Sequence, residues 1–212
     1  MRIGSDIGGT FTDIVTATAD GRFFVTKVPS TPPDFATGLV HGVETGLHSA
    51  GGQPADVDEV LHACTVATNA ILEHRGARTG LFTTRGFRDV LELRRIRVPR
   101  LYDPQYERPE PLVPRERRFE LDERIAADGT VLQALGDAEI ARAVALCREH
   151  ALEAVAVCFI NSYRNPENER RLGEVLRREL PDVYVSLSVD VLPEMREYER
   201  TSTTVINSYV GP

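Results

Sequence analysis

Through the first 28 positions short apolar stretches (Met1 and Ile3, Ile14-Val15, Phe23–Val25) are set between polar residues, and the pattern breaks at Gly8-Gly9 and at Ala19-Asp20-Gly21. That pattern predicts a hairpin, Ile3 to Ala17 and then Arg22 to Val28, with glycines where the chain must turn. After Pro32-Pro33 the period lengthens. Asp34 caps a predicted helix to about Ser49, in which Gly38, Gly42 and Gly46 make a bare stripe flanked by Leu39, Val43 and Leu47. Each glycine costs a helix roughly 1 kcal/mol against alanine, so the stripe points to close packing on a sheet. Val60–Cys64 reads as an apolar strand, Thr65 to Arg75 as a helix with Gly76 as its C-cap, and Thr79–Thr84 as a short strand. Gly86 marks a turn, and Phe87–Arg95 a helix with a basic end.

Residues 98–118 hold five prolines (Pro99, Pro104, Pro109, Pro111 and Pro114), which excludes regular helix or a central strand there. Beyond them, Arg118–Leu121 alternates as a strand and Asp128-Gly129 marks a turn. Asp137 caps a helix to His150 with Ile140, Val144 and Cys147 on one face. Val155–Ile160 is continuously apolar, the mark of a strand covered on both faces. Asn165 and Pro166 supply N-cap and first turn of another helix with a Leu172, Val175, Leu176, Leu180 stripe, which Pro181 stops. Val183–Val191 reads as a strand and Arg196–Tyr209 as a last helix. Strand and helix alternate over most of the chain, so the class is α/β with a largely parallel sheet and a hairpin at the start.

Composition narrows the function. With 212 residues, one large domain or two small ones fit, and 42% hydrophobic with 27% charged residues is ordinary for a globular protein. A net charge of −7 argues against nucleic acid or an anionic membrane as partner. The longest apolar run, Ala154–Ile160, is too short to span a bilayer, and no apolar segment precedes Asp6 as a secretory signal would. Cys64, Cys147 and Cys158 are odd in number, widely spaced and set in apolar surroundings, as buried reduced thiols of a cytoplasmic protein would be.

The chemistry concentrates in Asp6-Ile7-Gly8-Gly9-Thr10-Phe11-Thr12-Asp13. Paired glycines permit φ > 0 and let a ligand approach the main chain without meeting a Cβ. Backbone N–H groups in such a turn form an anion-binding concavity, to which the Thr10 and Thr12 hydroxyls add donors. Asp6 is then placed to hold hydrated Mg²⁺ or orient a water beside a phosphate. The competing reading is a plain hairpin turn. Thr65, Thr68 and Asn69 follow a strand and open a helix, so they either cap that helix or face an anion or amide oxygen. His62 alternates with Cys64 as a packed core histidine would, and His41 and His48 lack a third ligand of matching spacing. Arg85, Arg88, Asp89, Arg94, Arg95 and Arg97 form either a solvated face of ion pairs or a clamp for a substrate carboxylate. Arg196, Glu197, Glu199, Arg200 and Thr201 read as a polar run, explained by capping from Thr201 or Ser202 or by contact with another part of an enzyme.

Residues 6–13, Thr65–Leu72, Gly76–Gly80, Thr83–Glu92 and Pro193–Pro212 together resemble the hydantoinase A/5-oxoprolinase family, which includes N-methylhydantoinase A and the acetone carboxylase β subunit. The resemblance runs through the whole chain in order. It implies half of an ATPase core of the actin, hexokinase and ribonuclease-H-like type, a mixed sheet with an N-terminal hairpin and flanking helices. It implies ATP and Mg²⁺ as cofactors, with Gly8, Gly9, Thr10 and Thr12 as the first phosphate loop, Asp6 at the metal, and Asp6 and Asp13 catalytic. Thr65, Thr68, Asn69 and Arg88 would face the substrate, a cyclic amide such as hydantoin or 5-oxoproline. Residues 1–190 would be the N-terminal domain and 191–212 the start of the catalytic domain that follows. The family's second phosphate loop is absent here: residues 8–10 are the sequence's one Gly-Gly-Thr. The expected partners are therefore the rest of the enzyme or a hydantoinase B-type subunit, in an oligomer, with the chain inactive alone. A ketone-carboxylating ligase subunit and a non-catalytic module are the alternatives.

Overall fold

The computed structural model describes residues 1–95 and 102–212, which fall into two compact units, Met1–Arg75 and Gly76–Pro212. Arg97 and Pro99 lie outside the described residues.

In the first unit, strands β1 (Arg2–Ile7), β2 (Phe11–Ala17), β3 (Phe23–Pro29) and β4 (Glu59–Cys64) form a mixed sheet of order β3-β2-β1-β4. The first three are antiparallel neighbours, while β4 joins β1 in parallel with Ile3 opposite Val60 and Ile7 opposite Cys64. Alternation turns Ile3, Ile14 and Val28 inward beneath helix α1 (Phe35–Ala50). Asp34 caps α1 as expected: its carboxylate accepts the Ala36 N–H at 3.1 Å and the Thr37 hydroxyl at 2.7 Å. Those bonds, the Thr37 hydroxyl foremost, hold the Asp34 carboxyl below its ordinary range.

The glycine stripe of α1 does what its cost implied. A Cβ on Gly42 would stand 2.9 Å from Ile14 Cγ1 and 3.0 Å from Val28 Cγ2, and one on Gly46 2.8 Å from Thr16 Oγ1. Only a bare helix face lets α1 lie this close to β2 and β3. Helix α2 (Val66–Leu72) is shorter than expected, and Glu73, not Gly76, is its C-cap. Gly76 is instead needed in the second unit, where a Cβ would enter the Tyr209 ring at 2.1 Å. The β4 strand is exposed along its length, because it is the sheet's edge; Cys64 and His62 are therefore exposed, against the expectation of a buried thiol and a core histidine.

The second unit is built on four parallel strands, β5 (Thr79–Thr84), β6 (Arg118–Leu121), β9 (Ala154–Cys158) and β10 (Tyr184–Leu187), in the order β10-β9-β5-β6. A small ribbon, β7 (Arg124–Ile125) with β8 (Val131–Gln133), turns at Asp128-Gly129. Helices α4 (Asp137–Glu149) and α5 (Glu167–Glu179) bury Ile140, Val144, Cys147, Leu172 and Leu176 with Phe82, Val155 and Val157. Burial pushes the Cys147 thiol up to about 12. On the other side, α7 (Glu197–Val210) packs on β5, β9 and β10, and the short α3 (Val90–Leu93) packs on α7. The predicted strand to Val191 stops at Leu187 and continues as a helical turn, α6 (Ser188–Val191). The helix expected over Phe87–Arg95 shrinks to α3. Pro166, rather than Asn165, is the N-cap of α5, although Asn165 Oδ1 accepts the Glu167 N–H at 3.0 Å, and Gly136, rather than Asp137, precedes α4.

Two polar side chains meet the backbone of Phe159 from opposite directions. Glu169, fully buried, accepts the Phe159 N–H at 2.8 Å, the Ser188 hydroxyl at 2.7 Å and the Val189 N–H at 3.1 Å. Arg200, also fully buried, donates to the Phe159 carbonyl at 2.8 Å. The polar run around residue 200 is thus neither cap nor outer surface at Arg200, and Thr201 is buried against Cys158 Sγ at 3.1 Å. Burial raises the Glu169 carboxyl above its ordinary 4.5 despite the donors around it. A raised folded value means that the folded state holds this proton more tightly than the unfolded chain. Glu169 therefore favours folding most below pH 4.5, and that contribution is lost as pH climbs through the folded value. In urea titrations, wild-type stability minus that of Glu169→Gln is expected to decline from pH 4.5 to 8; a pH-independent difference contradicts this.

Candidate functional site

The Gly-Gly-Thr turn joins β1 to β2, with Ile7 paired to Thr12 and the Gly8 N–H donating to the Phe11 carbonyl at 2.9 Å. Neither Gly8 nor Gly9 takes the positive φ expected of them; the glycines that do are Gly21, Gly51, Gly86 and Gly129. Their role is steric. A Cβ on Gly8 would sit 2.9 Å from the Phe11 carbonyl oxygen, whereas at Gly9 the nearest atom is the Asn69 amide nitrogen at 3.8 Å. Gly9 and Thr10 are exposed, and their N–H groups have no hydrogen-bond partner among the described residues. The turn therefore offers bare main chain and free donors to an approaching anion.

The turn is held from beneath by a residue the sequence reading passed over. Ser30, just beyond β3, donates its hydroxyl to the Gly8 carbonyl at 2.7 Å and its N–H to the Thr10 carbonyl at 2.9 Å. Thr12, expected beside Thr10 as a donor to the anion, is instead fully buried with its hydroxyl 3.0 Å from Ser30 Oγ. Ser30 is legible only from the β2–β3 register, which places it across from Thr10.

Asp6 and Asp13 stand directly opposite one another, and Lys27 stands opposite Asp13 on the next strand. Cross-strand neighbours of this kind lie about 5 Å apart at Cβ. Lys27 Nζ bonds Asp13 at 2.9 and 3.2 Å, so Asp13 is already neutralised, while Asp6 is exposed and has no partner among the described residues. A groove of about 370 Å³ runs over this face of the sheet, with Asp6, Asp13, Val15, Leu61 and His62 in its walls. One free carboxylate suits a hydrated Mg²⁺ ion, which takes few protein ligands. Among the described residues no three His, Cys, Asp or Glu side chains cluster as a dedicated metal cage.

The start of α2 is tied to the same turn. Thr65 donates its N–H and hydroxyl to the Ile7 carbonyl at 3.0 and 3.3 Å. Asn69, one helical turn on, projects its amide toward Gly9. Thr65 and Asn69 thus join the glycine turn in one constellation, and Thr68 is exposed without a contact to it among the described residues. His62 bonds Ser5 Oγ through Nδ1 at 2.9 Å.

Arg88 belongs to the second unit, half-buried, with its Nε buried and without a hydrogen-bond partner among the described residues. The arginines around it follow the ion-pair reading: Arg85 bonds Asp122, Arg115 grips Asp89 at 3.0 and 3.2 Å, and Arg95 bonds Glu199 at 2.5 Å. A cavity of about 640 Å³ opens beside them, walled by Phe87, Arg94, Arg95, Arg196, Tyr198 and Glu199 but not by Arg88.

Comparison with known proteins bears on both units. The family profile described as the hydantoinase/oxoprolinase N-terminal region matches residues 2–180. The caprolactamase α subunit of Pseudomonas jessenii is 39% identical over 217 residues, covering 100% of this chain and 31% of that protein. The crystal structure of the ATP-dependent caprolactamase from the same organism superposes with a TM-score of 0.84 at 39% identity, covering 100% of this chain and 32% of that one. A nucleotide-free structure of acetone carboxylase, from work on ATP-dependent acetone carboxylation, gives a TM-score of 0.87 at 29% identity, with the same coverage of 100% and 32%. The chain spans about a third of the length of these relatives.

Proposed function

Because the chain belongs to the hydantoinase/oxoprolinase family, we propose that it is the N-terminal region of an ATP-dependent hydrolase of cyclic amides and supplies that enzyme's first phosphate-binding loop. The observation that carries the proposal is the exposed turn whose Gly9 and Thr10 N–H groups, like the Asp6 carboxylate on the strand that leads into it, have no partner among the described residues. Gly8, Gly9 and Thr10 would surround phosphate oxygens with backbone donors, and Thr12 would serve them indirectly by supporting the turn. Asp6 would carry Mg²⁺, with Asp13 and its Lys27 counter-charge alongside. Thr65 and Asn69 would face the reacting group across the same turn, with Thr68 toward the amide substrate. When bound, ATP supplies the phosphoryl group that makes a stable amide carbonyl open to water.

A transferring phosphoryl group needs donors and counter-charge on several sides. One loop gives one side. The remaining donors would come from the rest of a longer enzyme, into which residues 191–212 lead, or from a hydantoinase B-type subunit in a cytoplasmic oligomer. No helix among the described residues is long and apolar enough to cross a membrane.

The test is ADP release by the full-length protein with Mg-ATP and hydantoin, 5-oxoproline or caprolactam. ADP formation matched by ring opening is expected with one of them, and no steady turnover is expected from residues 1–212 alone. ATP use that depends on bicarbonate and a ketone, with no response to any lactam, would favour the acetone-carboxylase-like reading to which the 0.87 TM-score lends weight. Turnover by residues 1–212 alone that survives Asp6→Ala would sink both.

A further inference from the structure

Ser30 lies outside the turn, yet it determines which way the turn's amides face. Its hydroxyl has one proton, and the 2.7 Å bond to the Gly8 carbonyl uses it. In the 3.0 Å contact with Thr12 the proton must therefore come from Thr12. The hydroxyls form a directed chain, Thr12 to Ser30 to the Gly8 carbonyl, anchored at a fully buried side chain. A trans peptide is planar, with its carbonyl and the next residue's N–H pointing in opposite directions. Pulling the Gly8 carbonyl toward Ser30 thus turns the Gly9 N–H the other way, out of the sheet. The Ser30 N–H, bonded to the Thr10 carbonyl at 2.9 Å, fixes the second end of the turn.

We propose that Ser30 is a positioning residue, acting with Thr12 to pre-set the Gly9 N–H as a phosphate donor; this rests on the phosphate-loop reading above. Ser30 touches no ligand itself. Without its hydroxyl, the Gly8–Gly9 peptide is free to rotate, since neither glycine has a side chain to restrain it. The donor then has to be ordered at each binding event, and affinity falls by the cost of that ordering.

The probe is Mg²⁺ with a non-hydrolysable ATP analogue, titrated calorimetrically into the full-length protein. Ser30→Ala is expected to weaken binding about tenfold or more, as loss of one oriented donor would. Ser30→Thr, which keeps the hydroxyl, is expected to restore most of the affinity. Thr12→Val is expected to weaken binding less, and to add nothing in the Ser30→Ala background, because Thr12 acts through Ser30. Ser30→Ala binding as tightly as wild type would overturn the inference and leave the phosphate loop standing. A Ser30→Ala loss that Ser30→Thr fails to recover, while tracking a fall in melting temperature, also overturns it. Wild-type protein that binds no nucleotide overturns the loop reading and this inference with it.

Discussion

Replacing Gly8 by alanine is expected to lower nucleotide-dependent kcat/KM at least a hundredfold in the full-length enzyme. The added Cβ would stand 2.9 Å from the Phe11 carbonyl oxygen, a main-chain atom that cannot swing aside as the end of a side chain can. That same oxygen accepts the Gly8 N–H at 2.9 Å, so relieving the clash opens the turn itself. Losing an oriented donor to a transition-state oxyanion costs about 10²–10³ in rate. Gly9→Ala separates fold from site, because its Cβ meets nothing nearer than the Asn69 amide nitrogen at 3.8 Å. It should fold as wild type does, and still weaken binding by placing a methyl group on the face the phosphate approaches. Far-ultraviolet dichroism and thermal melts on both variants check the folding half, and analogue binding checks the other. Gly8→Ala with wild-type kcat/KM would mean that the turn is an ordinary hairpin.

What the sequence disclosed, and what it withheld, follows from the range of the interactions involved. Thr79–Thr84 and Arg118–Leu121 were bounded correctly because their patterns are local: continuous or alternating apolar residues between turn and proline signals. Asp34 was legible as a cap for the same reason, since its bonds reach only to Ala36 and Thr37. The glycine turn was visible as composition. Its mechanism was not, because the need for glycine at position 8 comes from the Phe11 carbonyl across the hairpin rather than from φ. Ser30 and Lys27 enter the site through the register of β2 with β3, and no periodicity in either strand announces which residue will oppose which. His62 and Cys64 were misplaced for a related reason: apolar alternation looks alike in a central strand and at an edge, and β4 is an edge.

Arg200 is the largest departure from the sequence pattern, and its replacement by methionine is expected to destabilise the second unit by several kcal/mol. A charged residue in a polar run reads as surface, yet Arg200 is among the largest fully buried side chains in the chain. It donates to the Glu194 carbonyl at 3.0 Å and the Phe159 carbonyl at 2.8 Å, leans on Cys158 Sγ at 3.4 Å, and stands 5.5 Å from the centre of the Tyr163 ring. Exchanging a buried ion pair for apolar residues is often neutral, because both charges leave together. That compensation is missing here. The acceptors are backbone carbonyls, which remain after the substitution; that of Phe159 keeps the Ser162 hydroxyl at 2.9 Å, so what is lost is one bond from a charged donor to each carbonyl, about 1.5–3 kcal/mol apiece. Two such losses outweigh the relief of desolvating one guanidinium less, and at about 2–4 °C per kcal/mol they lower the melting temperature by roughly 5 °C or more. Arg200→Lys should recover part of the loss, since an ammonium can reach one of the two carbonyls but lacks the fork that spans both. A thermal melt of Arg200→Met within about 1 °C of wild type would show that the carbonyls find other donors and that the buried cation is dispensable.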